Sequence, residues 1–276
     1  MPDDESSGSS PKERALRAGK AVGSAAVSVG RAIGRSVADT YAAIDPDMRR
    51  QIAEAPLLGL TLLSPGERSL EPLPDDGKRP IVWVHGLGGH AKNFVLMRTY
   101  FRLHGRKRTT SYPLRDGSIE DEARDLGAFI LALAERTGQE KIDVVAHSMG
   151  GVITRLALED PAVRAKVGTL VTLGTPHAGT HLARLAATSR TLDLRPGSPV
   201  MDRLARQLPW VSPPRLVALY SENDTVILPV EAAQVEGAEN VACHGTTHMG
   251  FLLEVGVFRK VLDALEHDAP RGPTGA

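Results

Sequence analysis

The 276 residues are enough for one large α/β domain with added segments or for two small domains, and a hydrophobic share of 42% supplies a sizeable core. Lys plus Arg equals Asp plus Glu, at 33 each, and aromatics make up 4%, so no basic field and no set of stacking rings exists and a nucleic-acid partner is not expected. Cys243 is the only cysteine, which excludes an internal disulfide and a cysteine-rich metal site.

Residues 1–14, "MPDDESSGSSPKER", are polar and acidic and are expected to form a disordered tail. They lack the basic start and apolar stretch of a secretory signal, and no run of about 18 apolar residues follows. The expectation is a cytoplasmic protein without a signal peptide or transmembrane segment. Residues 15–44 carry Leu16, Val22, Ala26, Val29, Ile33, Val37, Tyr41 and Ile44 at helical spacing, with Arg17, Lys20, Arg31 and Arg35 among them. Two readings stand side by side: a small-residue helix packed on its own protein, or a basic amphipathic helix at a lipid surface. "APLLGLTLLSP" (55–65) is too apolar to leave in water, so residues 48–63 are expected to pack on the main body or to cover its substrate groove. Peripheral lipid-surface contact is therefore expected through residues 15–63. Residues 64–80, rich in Pro, Asp and Gly, read as a linker that ends an N-terminal helical extension spanning 15–78.

Beyond the linker, strands and helices alternate. "IVWVHG" (81–86) is a short buried strand, residues 91–104 are helical, and "RKRTTSYPL" reaches a second strand. Residues 118–137 place Ile119, Ala123, Leu126, Ile130, Leu133 and Ala134 on one helix face. A strand at 141–146, a helix from 149 and strands at 167–174 and 215–221 follow, then a weak strand at 239–243 and a last helix over 249–266. Such alternation implies a mostly parallel sheet with helices on both faces. Residues 269–276 are expected to be a second disordered tail.

Ser148 stands where the strand "IDVVAH" turns into a helix, between Ala146 and the pair Gly150-Gly151. In a parallel sheet such a turn exposes its central side chain at the edge where strands end and helices begin. A serine nucleophile needs a base and a group that orients the base. His248 and His244 are the candidate bases in "VACHGTTHMG"; Asp224 and Glu222 are the candidate acids in "SENDTVILP". His85, His147 and His267 read as structural or solvated. "VHGLGGHAKNF" after the first strand and "TLGTPHAGT" after the fourth are glycine-rich loops at the same edge.

"AHSMGG" is similar to the G-x-S-x-G nucleophile elbow, with Ala146 in place of the first glycine. In the order HGLGG, AHSMGG and GTPHAG, the chain resembles the bacterial triacylglycerol lipase and esterase branch of the α/β-hydrolase superfamily, over about residues 79–266. The resemblance implies an α/β-hydrolase domain at 79–268 with a small cap insertion at about 180–213. It implies Ser148, Asp224 and His248 as the catalytic set, His248 being favoured because "HMGFLL" is similar to the histidine loop of small bacterial lipases. It implies the backbone N–H groups of Leu87 and Met149 as the oxyanion hole, and Gly86, Gly88 and His177 around the substrate. The implied activity is hydrolysis of acyl esters or lipids through an acyl-enzyme, without a cofactor or a metal. Acyl transfer, thioester hydrolysis and a non-catalytic binding role are the alternatives. The apolar residues of the insertion, among them Leu185, Leu192, Val200, Leu204 and Trp210, could cover a groove or extend the core; both readings stay open.

Overall fold

The computed structural model describes residues 44–61, 73–115 and 117–267. The expectations for 1–14 and 269–276, for the helix up to residue 43 and for most of the linker lie outside them. The chain divides into two compact units, Met1–Arg49 and Arg50–Ala276. The first is represented by the start of α1 (Pro46–Thr61), where Asp45 Oδ1 accepts from the N–H groups of Asp47 and Met48. All else concerns the second unit.

Six parallel strands form one sheet: β1 (Ile81–Val84), β2 (Thr109–Ser111), β3 (Ile142–His147), β4 (Val167–Leu173), β5 (Arg215–Tyr220) and β6 (Glu239–Ala242). Their spatial order is β2-β1-β3-β4-β5-β6. The central strands read as largely apolar runs because both faces are covered. Ile81, Trp83, Val145, Val171, Leu173, Val217 and Leu219 pack on α2 (Val95–Leu103) and α8 (Val255–Glu266). Val82, Val84, Val144, Ala146 and Leu170 face the other way, onto α3 (Ile119–Thr137) and α4 (Met149–Ala157). The alternation within β1 follows from the period of two in a strand. α3 begins in a capping box between Ser118 and Asp121 and ends at Gly138 in the left-handed region, φ 63°.

The chain leaves β1 toward β2 and leaves β3 toward β4, in opposite directions. A crevice therefore opens above the carboxyl ends of β1 and β3, the usual ligand position in such sheets.

One expectation changes, and two readings become more definite. The last helix is broken: a 3-10 turn over Gly250–Leu252 comes first, where Thr247 Oγ1 accepts from Gly250 N at 2.9 Å, and α8 starts at Val255. The described end of the linker is docked, with Asp76 Oδ2 accepting from the N–H of Arg108 at 2.9 Å and Asp75 paired with Arg108 at 2.9 Å. The insertion after β4 extends the core. It folds as α6 (Ser189–Asp193) and α7 (Pro199–Ala205), after the short α5 (Pro161–Lys166) that precedes β4. Leu194, Val200, Met201, Leu204 and Trp210 are buried with the α3–α4 face, while Leu185 and Leu192 point to solvent.

Candidate active site

Ser148 ends β3 and starts α4 with φ 56° and ψ −128°, the only non-glycine residue with positive φ among the described residues. Such a conformation costs about 1–3 kcal/mol and persists only where its surroundings enforce it. Here Ser148 N–H donates to Leu173 O at 2.9 Å, and Ser148 O accepts from Thr175 Oγ1 at 2.9 Å and from Gly151 N at 3.0 Å. The glycines after Ser148 are required by space. A Cβ on Gly150 would lie 2.5 Å from Val84 O, and one on Gly151 would lie 2.2 Å from Thr175 Oγ1. These contacts bring α4 against β1 and against the loop after β4. Ala146, the departure from the elbow pattern, is fully buried in the sheet, opposite Val84.

The β1–β3 register carries His85 and Gly86 alongside His147 and Ser148. A Cβ on Gly86 would stand 2.7 Å from Ser148 Cβ, so only glycine lets this loop cross so close. Gly88 turns the loop with φ 65°.

Asp224 follows β5 and His248 follows β6. His248 Nδ1–H donates to Asp224 Oδ2 at 2.8 Å, and both side chains are buried. Asp224 Oδ1 accepts from the N–H groups of Val226 and Ile227 at 2.8 and 3.2 Å. Burial alone would raise the Asp224 carboxyl; the His248 ring and these two donors outweigh it and hold the group below its ordinary value. Gly174 makes room for the carboxylate, since a Cβ there would lie 2.8 Å from Asp224 Oδ2. With Nδ1 committed to Asp224, His248 keeps Nε2 as its free ring nitrogen.

The other candidates sort themselves by position. Glu222 and His244 pair with each other at 2.7 Å on the surface, with side-chain exposures of 51% and 80%. His147 lies under the site, its Nε2–H donating to His248 O at 3.1 Å, and burial lowers its pKa to about 3. His177, expected at the substrate, is instead buried beneath the loop. Its Nδ1 accepts from Arg155 Nη1 at 3.3 Å and its Nε2 faces Thr172 Oγ1 at 3.0 Å. Burial and the Arg155 charge keep it neutral, with its pKa well below the ordinary histidine value.

Ser148 and His248 line one cavity of about 470 Å³. His85, Gly86, Leu87, Gly88, Gly89, His90, Asn93, His147, Met249 and Leu252 complete its walls with Ala55 and Gly59 of α1. None of these is Asp, Glu, Lys or Arg, and none comes from the insertion. Among the described residues the Ser148 hydroxyl does not cap α4, and no group of three His, Cys, Asp or Glu side chains is placed to hold a metal. No helix among them is long and apolar enough to cross a membrane. Ala55 and Gly59 carry no chemical signal in sequence. The apolar run that placed their segment on the body was a partial guide, since Leu57 in that run is half exposed.

A family described as "Domain of unknown function (DUF7379)" matches residues 119–219, which include Ser148 but not Asp224 or His248. A triacylglycerol lipase of Pseudarthrobacter phenanthrenivorans is 28% identical over 115 residues, 38% of this chain and 35% of that one. The chain spans about a third of the length of the curated relatives it matches. Aspergillus fumigatus lipase B aligns with a TM-score of 0.60 and 19% identity, over 72% of this chain and 54% of its own. Bacillus licheniformis lipase BlEst2 in mature form aligns at 0.59 with 21% identity, over 71% of this chain and 99% of its own. The chain thus has the α/β-hydrolase fold, and the proteins it is similar to are lipases.

Proposed function

We propose that this chain is a serine carboxylic-ester hydrolase that cleaves neutral acyl esters or lipids. The observation that carries the reading is the buried His248–Asp224 hydrogen bond beside the one strained serine, both facing a single cavity. Ser148 Oγ attacks the carbonyl carbon while His248 Nε2 takes its proton. Asp224 stabilises the resulting imidazolium. The oxyanion is held by the N–H of Met149, which starts a helix and has no acceptor within it, and by the N–H of Leu87. His248 returns the proton to the leaving alcohol, and water then cleaves the acyl-enzyme by the same route. A cavity wall that holds no Asp, Glu, Lys or Arg among the described residues supports a neutral substrate over a charged one.

Ser148→Ala should fold as the parent does and lose at least about 10⁴-fold in turnover of p-nitrophenyl esters. Parental turnover in that variant would refute the reading.

A further inference from the structure

Two sets of contacts join α1, from Arg50 onward, to the active site. Ala55 and Gly59, one turn apart, line the cavity beside Ser148 and His248. A Cβ on Gly59 would meet nothing within 4 Å, so the space in front of it is open. The same helix is anchored on the two loops that carry the acid and the base. Gln51 Oε1 accepts from Thr225 Oγ1 at 3.1 Å, and Thr225 directly follows Asp224. Glu54 Oε2 accepts from Thr247 Oγ1, and Thr247 directly precedes His248. Arg50 pairs with Glu254 at 2.8 Å, donates to Gly245 O, and holds Glu54 at 3.2 Å.

At about 100° per residue, Arg50, Gln51, Glu54, Ala55 and Gly59 share the inner side. Ile52, Ala53, Pro56 and Leu57 lie on the other side and are exposed, as are Arg50, Ala55 and Gly59; Gln51 and Glu54 are half-buried. Among the described residues, the anchors that seat this segment are polar.

We propose that α1 sets the substrate range of this site. Ala55 and Gly59 form the wall along which the apolar chain of the ester lies, and Gln51, Glu54 and Arg50 hold that wall in register with the acid and base loops. The inference rests on the ester-hydrolase reading. Small residues at 55 and 59 leave a channel; larger ones would close it. The insertion after β4 supplies no such wall, because none of its residues lines the cavity and Leu194, Val200, Met201, Leu204 and Trp210 belong to the core.

The test uses the full-length protein with p-nitrophenyl butyrate and p-nitrophenyl dodecanoate. Gly59→Ala, Gly59→Leu and Ala55→Trp should lower the ratio of kcat/KM for dodecanoate over butyrate in steps, reaching about tenfold or more for the two larger side chains. Gly59→Ala adds one methyl to open space and keeps the series readable if a larger variant does not fold. Glu54→Ala, which deletes the acceptor for Thr247, should lower the same ratio, and Glu54→Gln, which keeps an acceptor oxygen, should restore it. Fluorophosphonate labelling of the parent separates the two claims. No label on Ser148 would defeat the hydrolase reading itself. Label on Ser148, with the ratio unchanged in Gly59→Leu and Ala55→Trp, would overturn the role of α1 alone.

Discussion

Asp224 and Glu222 differ by two positions and carry the same chemistry, yet their surroundings give them different work. Asp224 is buried, accepts two backbone N–H bonds and orients His248. Glu222 holds a solvated ion pair with His244, and such pairs contribute little. Asp224→Asn should lower ester turnover on the order of 10⁴-fold, by analogy with the same change in a triad on another fold. Glu222→Gln should stay within about threefold of the parent; the reverse outcome would move the acid to Glu222. His147 supplies a pH test. Its folded pKa is depressed to about 3 against an unfolded value near 6.5. Between those values the unfolded chain binds the extra proton, so stability falls as pH drops through that window and is unaffected above it. His147→Asn should make the acid slope shallower by up to about 1.4 kcal/mol per pH unit, read from denaturant titrations at pH 7, 6 and 5. Sequence made Ser148 legible because a strand-to-helix junction with small flanks is a local pattern. It left Glu222 and His244 open because burial, which separates them from Asp224 and His248, is not local. His177 was misplaced for the same reason: Arg155, which binds it, comes from α4, 22 residues earlier.

The central strands could be read nearly to the residue, since each is a largely apolar run covered on both faces. α3 was equally legible from its apolar face. Less legible was the insertion, whose leucines suit a lid and a core equally well until their neighbours are known. Leu204 is fully buried, and its carbonyl accepts from Arg155 Nη2 at 2.8 Å. Leu204→Ala should therefore cost about 2–5 kcal/mol of stability in denaturant titration while leaving the chain-length preference for esters unchanged. A shifted preference at parental stability would return the insertion to the role of a cap. The break before α8 was hidden because Met249, Phe251 and Leu252 continue a helical apolar pattern across a 3-10 turn.

At the scale of the whole chain, a balanced charge argued against a nucleic-acid partner and a single cysteine against an internal disulfide, but neither pointed to a substrate; the proposed substrate class rests on the cavity. Removing residues 1–44 keeps Asp45 at the start of α1 and every contact named above. That truncation should retain soluble yield and ester turnover, with weaker sedimentation on liposomes at most. Removing residues through 78 deletes α1 and the Asp75 and Asp76 contacts to Arg108 and its backbone. It should aggregate or change substrate preference. Full solubility with unchanged kinetics after the longer deletion, or loss of folding after the shorter one, would contradict the division. The central claim is that Ser148 is an activated nucleophile. Its most direct test is peptide-mapped labelling of the full-length, folded protein by a fluorophosphonate. The account predicts an adduct on Ser148 alone, slowed by Asp224→Asn and lost in His248→Ala; a folded protein left unlabelled at Ser148 would contradict it.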